Sequence, residues 1–116
     1  MTPDLDDGTD FDSSLKFIKS CILKKSVIWT YHVNMRMENR FISRQRILSS
    51  IDRFEIIEDY PDDKYLPSCL VFSMHENVTF HILFALDVQY KNVRIVTVYR
   101  PDPGIWEKDL KRRKKS

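Results

Sequence analysis

Three side chains suited to binding a phosphate ester recur at intervals of four residues. On a helix, His32, Arg36 and Arg40 would share one face, because residues four apart are neighbours on the helix surface. Two like charges at this spacing repel each other, so an anion or a carboxylate is expected opposite them. Phosphate fits the guanidinium fork. The alternative is a set of internal salt bridges, with the carboxylates of Glu38, Glu55 or Glu58.

A further histidine, His81, interrupts an apolar strand and is expected either in the core or in a site. A hairpin that aligns Asp87 with Asn92 would place His81 beside Val98, and a slip of one residue would place it beside Tyr99. The cations on the same face would be Arg94 and Arg100. Histidine, arginine and tyrosine can cleave RNA without a metal. One group takes the 2′-hydroxyl proton, a cation stabilises the phosphorane and an acid protonates the leaving oxygen.

Charge is distributed unevenly along the 116 residues, although the net charge is only +2. Residues 1–12 hold five acidic residues and no basic one, whereas residues 108–116 hold six basic residues and one acidic one. A basic end on a small domain suggests a polyanion or an acidic partner, and the alternative is a solvated, frayed tail. These cations are spaced too closely for internal pairing, so we expect them to add affinity for RNA rather than stability.

Several classes of function are excluded by residues that the sequence lacks. With only two glycines, it has no glycine-rich phosphate loop of the P-loop or Rossmann type. The three histidines are not at metal-ligand spacing, and we expect neither a metal nor a cofactor. Cys21 and Cys69 are isolated, so we expect both to be buried and reduced. No apolar run approaches membrane-spanning length and no signal peptide is evident, so a cytoplasmic protein without a membrane partner is expected.

The periodicity of apolar residues predicts an α+β domain in which N-terminal helices precede a four-stranded antiparallel sheet. Helical patterns begin at Asp12 or Ser13, at His32 and, capped by Ser43, at residue 44. After Phe54 the period changes to two. The four strands predicted for the sheet cover residues 54–60, 69–75, 79–87 and 92–100. The short β-branched and aromatic segment from Val27 to Tyr31 is expected to be either a strand or an extended entry to the helix at His32.

The two ends of the chain lie outside this pattern of helices and strands. Pro103 is expected to open a short C-terminal helix that includes Trp106 and Leu110. We therefore expect an acidic flexible leader over residues 1–11, one domain over residues 12–110 and a basic tail over residues 111–116.

Three segments in order resemble a small uncharacterised bacterial domain family related to RelE- and BrnT-type toxins. They are HVNMRMENRFIS from His32, EIIEDYPDD from Glu55 and VTVYRPDPGIW from Val96. The resemblance covers roughly residues 27–113 and implies a RelE-like fold. It implies the toxin of a type II toxin–antitoxin system, an endoribonuclease (mRNA interferase) whose partners are RNA and an antitoxin, for example of the YgiT zinc-finger type.

The resemblance to these toxins implies that particular residues of this chain cleave or bind RNA. The expected catalytic residues are His32, Arg36, Arg40, His81 and Tyr99. The expected RNA-binding residues are Arg94, Arg100, Lys111, Arg112 and Arg113. Two alternatives remain: a non-enzymatic binding module or inhibitor of RelE or ParE fold that acts through an acidic protein or nucleic acid, and a general nucleic-acid-binding domain.

Overall fold

The computed structural model of the chain describes residues 7–39 and 42–115, apart from the side chains of residues 7–10, 36, 38 and 39. Within these residues the fold is α+β. The helices are α1 (Asp7–Leu23), α2 (Tyr31–Asn39) and α3 (Arg44–Ser49), followed by a 3-10 turn over Ile51–Arg53. The strands are β1 (Val27–Trp29), β2 (Glu55–Tyr60), β3 (Ser68–His75), β4 (Val78–Asp87) and β5 (Asn92–Tyr99).

The sheet has five strands in the order β1-β5-β4-β3-β2. The predicted antiparallel meander is present as β2 to β5. The prediction of four strands was wrong, because β1 adds to the far edge, parallel to β5, with Val27 opposite Val93. β1 is only three residues long, and its partner lies more than sixty residues away in the chain, so local periodicity could not reveal this pairing.

A local sequence signal sets the beginning of α3. The Ser43 hydroxyl accepts a hydrogen bond from the Arg46 amide at 3.0 Å and caps α3. Ile42 and Ile47 are both buried, as expected for residues that flank this cap. α1 begins at Asp7, inside the predicted leader, and residues 1–6 lie outside the described residues. No helix in the described part of the chain is long and apolar enough to cross a membrane.

The helices pack on one face of the sheet and form the main core there. Alternate residues of β4 point into this core, as the period of two predicts. They are Phe80, Ile82, Phe84 and Leu86, all buried. The intervening residues of β4, including His81, therefore point to the opposite face.

Two β-bulges change the register of the sheet. In β5, Leu83 faces Thr97 but Phe84 faces Ile95, so Val96 is an extra residue. Consequently the hairpin aligns Asp87 with Asn92 and still places His81 opposite Tyr99. From the sequence these two pairings are alternatives, because a hairpin without a bulge can satisfy only one of them. A second bulge in β2 makes Ile57 the extra residue opposite β3.

Residues 101–115, here called the C-terminal strap, form turns and not the predicted C-terminal helix. The strap doubles back on itself at Leu110, whose φ of 59° is left-handed, and Trp106 pairs with Arg113 in an isolated antiparallel bridge. The Glu107 amide donates to the Arg112 carbonyl at 2.7 Å. The helix is replaced because this reversal buries Trp106 on the sheet, leaving it 3% exposed.

Candidate functional site

The strap covers part of the sheet face opposite the helices. On this face His81 lies between Phe72 of β3 and Tyr99 of β5. The Trp106 ring contacts the imidazole edge-on, with 4.5 Å between ring centroids and an interplanar angle of 84°. His81 is fully buried as a result.

Both ring nitrogens of His81 have hydrogen-bond partners. Nε2 lies 2.7 Å from the carbonyl oxygen of Leu110, which can only accept, so Nε2–H is the donor. In the neutral ring Nδ1 is then an acceptor, and the Tyr99 hydroxyl, 3.2 Å away, donates to it. Burial lowers the pKa of His81 and outweighs the hydrogen bond to Leu110, which favours protonation. His81 therefore joins the strap to the sheet in its neutral form.

An ion pair lies beside this histidine. Arg113 of the strap donates from Nε to Oε2 of Glu58 at 2.7 Å and from Nη2 to Oε1 at 3.2 Å. The Tyr60 hydroxyl also donates to Glu58. The Arg113 guanidinium stacks 4.6 Å from the centroid of Trp106. Burial alone would raise the pKa of Glu58, but the hydrogen bonds from Arg113 and Tyr60 lower it overall.

The two tyrosines stay protonated at neutral pH. Burial raises the pKa of Tyr60, and the hydrogen bond to Glu58 raises it further. Burial also raises the pKa of Tyr99, whose titration is influenced by both Arg113 and Glu58. We call the five residues Glu58, Tyr60, His81, Tyr99 and Arg113 the strap cluster. It combines an ionised carboxylate, a guanidinium and two phenol donors, the groups needed to move protons and to stabilise an anionic transition state.

The structure brings together only part of the predicted site. His81, Tyr99 and Arg113 meet in the strap cluster. His32 is exposed on α2, a helix whose Val33 and Met37 join the core on the other face, so it does not converge with His81. The side chain of Arg36 and the whole of Arg40 lie outside the described residues.

The prediction that the cations of the basic C-terminal run are unpaired was wrong for Lys111, Arg112 and Arg113. Lys111 pairs with Glu55 at 2.8 Å, and Arg112 pairs with Asp109 at 3.1 Å. Together with the Arg113–Glu58 pair, these contacts give each of three consecutive cations a carboxylate partner. The physical reason is the reversal of the strap, which carries Lys111 and Arg113 back to Glu55 and Glu58 on β2 and leaves Arg112 to pair locally with Asp109.

The predicted RNA-binding residues Arg94 and Arg100 are not part of the strap cluster. Arg94 is half-exposed and pairs with Asp87 at 3.8 Å, and Arg100 is exposed just after the strand. From the sequence, Glu58 is expected only as a salt-bridge partner, and Tyr60 is not among the candidate residues. The alternation Glu58-x-Tyr60 on a predicted strand was the signal available, since residues two apart share a face.

Cys21 and Cys69 are free and buried, as predicted. Among the residues that the structure describes, no group of three or more His, Cys, Asp or Glu side chains is arranged to hold a metal ion.

Comparison with known proteins identifies one family. Searches of curated proteins and of solved structures found no match to this chain. A family model described as a domain of unknown function, DUF4258, matches residues 29–100. The matched stretch carries Glu58, Tyr60, His81 and Tyr99 but ends before the strap. The expected kinship with RelE- and BrnT-type toxins rests on the sequence resemblance alone. Because the model spans more than half of the sequence, the chain belongs to the DUF4258 family.

Proposed function

We propose that the protein is a metal-independent endoribonuclease that acts at the strap cluster, as the toxin of a toxin–antitoxin pair. The observation that carries the proposal is the contact of ionised Glu58 with both Arg113 and the Tyr60 hydroxyl. A proton acceptor, a phosphate-binding cation and a proton donor thus lie within hydrogen-bond reach of one another. The toxin role is supported by the sequence resemblance and implies an antitoxin as partner, for example of the YgiT type.

The reaction is a transesterification of the RNA backbone. The Glu58 carboxylate takes the proton of the 2′-hydroxyl, and the 2′-oxygen forms a bond to phosphorus. Arg113 stabilises the charge of the phosphorane. The bond from phosphorus to the 5′-oxygen then breaks, and this oxygen takes the phenol proton of Tyr60. The products are a 2′,3′-cyclic phosphate and a free 5′-hydroxyl.

The hydrogen bond between Tyr60 and Glu58 restores both groups after each turnover. Glu58 ends the reaction protonated and Tyr60 ends it as phenolate, so one proton transfer along their contact returns the starting state. The Arg113 side chain remains 53% exposed, so its guanidinium is accessible to a phosphate even while it contacts Glu58. His81 is buried and positions Tyr99 and the strap; it does not contact the substrate in this arrangement.

The test compares Glu58→Gln with Glu55→Gln in the same cleavage assay. Both glutamates lie on β2 and pair with a cation of the strap, so the control loses a similar ion pair. Glu58→Gln should reduce cleavage of single-stranded RNA by roughly 10²-fold or more, the usual contribution of a general base. Glu55→Gln should stay within a few-fold of the native protein. The assay includes EDTA, because the proposed reaction uses no metal.

The pH profile provides a second readout on the same proteins. Because Arg113 and Tyr60 lower the pKa of Glu58, the base form persists below the ordinary titration range of glutamate, about pH 4.3. We therefore expect kcat/KM to stay flat from pH 7 down to about pH 5. Full activity of Glu58→Gln, or loss of all cleavage in EDTA, would contradict the proposal.

A second candidate is a non-enzymatic binding module of the same fold. The burial of His81 favours it, since the most versatile acid–base group of the face is shielded from any ligand. Induced expression separates the two functions. Growth arrest by the native protein that Glu58→Gln abolishes supports the enzyme, and equal arrest by both proteins supports the module.

A further inference from the structure

A cavity of about 310 Å³ lies on the same sheet face, beside the region that the strap covers. Its floor is formed by strand residues of β4 and β5 and its wall by the loop between β2 and β3. The floor residues are Leu83, Ala85 and Val96, and the wall residues are Asp63, Lys64, Tyr65 and Leu66. This volume is at the lower end of the range for small-molecule sites, so it suits one ring system.

The wall of the cavity is held in place at its C-terminal end. The Ser68 hydroxyl donates to the Asp63 carboxylate across the loop. The Leu86 amide of β4 donates to the Pro67 carbonyl at 2.8 Å. Because these two hydrogen bonds hold the loop against β3 and β4, binding of a ligand costs little ordering of the chain.

The chemistry of the cavity suits a planar ring that carries an anion. Apolar side chains form the floor, while the aromatic ring of Tyr65 is 86% exposed at the rim. Lys64 lies over that ring, with Nζ 5.4 Å from the centroid. Arg94 supplies a second, half-exposed cation whose guanidinium plane can stack on a ring. An apolar floor, an exposed aromatic ring and cations at the rim are the elements of a site for single-stranded nucleic acid.

We propose that this cavity binds a nucleobase of the RNA strand next to the scissile phosphate. The inference rests on the proposed ribonuclease function and names its base-binding subsite. Leu83 follows His81 by two residues on β4, so the cavity floor begins about 7 Å along the strand from the strap cluster. A base in the cavity would hold the adjoining backbone against Arg113.

The experiment measures binding of the four 5′-ribonucleoside monophosphates to Glu58→Gln protein, which is proposed to be inactive. Ribose 5-phosphate is the matched ligand without a base. Binding is followed by NMR, through the methyl groups of Leu83 and Ala85. Val96→Trp fills the cavity, and Val88→Trp makes the same change at an exposed turn position outside it.

We expect at least one nucleotide to shift the Leu83 and Ala85 methyl signals and to bind about tenfold more tightly than ribose 5-phosphate, since stacking is the main added interaction. Val96→Trp should weaken this binding about tenfold, and Val88→Trp should leave it unchanged.

The subsite is overturned if nucleotides bind without shifting these methyl signals and bind Val96→Trp protein as tightly as the protein with Val96. If native protein cleaves RNA and Val96→Trp retains its kcat/KM, the subsite fails while the ribonuclease stands. If nucleotides bind in the cavity but native protein cleaves no RNA, the site stands and the ribonuclease fails.

Discussion

Replacing His81 by alanine should unfold the protein more easily, because the imidazole fills a fully buried position and bonds at both nitrogens. Removing a buried ring costs about 3 kcal/mol, by analogy with aromatic-to-alanine substitutions. Leaving the Leu110 carbonyl and the Tyr99 hydroxyl without their partner adds about 1–2 kcal/mol. The sum of about 4–5 kcal/mol corresponds to a fall in Tm of more than about 10 °C for a domain of this size.

The control is His75→Ala, on the neighbouring strand. The His75 side chain is 28% exposed, and its Nδ1 has no hydrogen-bond partner within the described residues. Its replacement should cost less than about 1 kcal/mol. Urea denaturation of both variants measures the difference. Equal losses of stability would refute the idea that His81 anchors the strap.

The same histidine predicts a pH dependence of stability. Burial lowers the pKa of His81 in the folded protein, whereas an unfolded histidine titrates near pH 6.5. Below about pH 6.5 the unfolded chain therefore binds a proton that the folded chain does not. The stability that His81 contributes at pH 7.5 is lost as the pH falls, with a limiting slope of about 1.4 kcal/mol per pH unit, until the folded pKa is reached.

The choice of pH range and a His81 variant separate the contribution of His81 from that of other titrating groups. The pKa of Glu58 is also lowered, but its contribution is lost only below about pH 4.3, where an unfolded glutamate takes a proton. A comparison between pH 7.5 and 5.5 therefore avoids the Glu58 window. His81→Phe keeps a ring at the position and should lose less stability than native protein over this interval. An identical pH dependence of the two proteins would refute the assignment.

Two further predictions concern the strap and the cysteines. Deleting residues 111–116 should lower Tm by about 5 °C or more, since it removes the cover that keeps Trp106 buried; a thermal melt within 1–2 °C of the native one would contradict this. Burial raises the pKa of Cys21 and raises that of Cys69 to about 12. Neither thiol should react with a thiol reagent at pH 8 until the protein is unfolded, and rapid labelling of folded protein would show otherwise.

The sequence predicted some residues of the candidate site but not the contacts between them. His81 and Tyr99 were singled out because histidine is unusual in an apolar strand and tyrosine follows on the next one. Their contact depends on the bulge at Val96, which shifts the register by one residue. The carboxylate of the strap cluster was not assigned a chemical role, since Glu58 meets Arg113 only across 55 residues of chain.

Structural features that depend on residues close together in the chain could be predicted from the sequence. The alternation in β4 and the cap at Ser43 are determined by interactions over two to four residues, which leave a readable period or motif. The parallel pairing of β1, the bulges and the reversal of the strap were decided in the folded molecule. Each of these depends on contacts between distant segments, where burial of a side chain such as Trp106 outweighs the local preference for a helix.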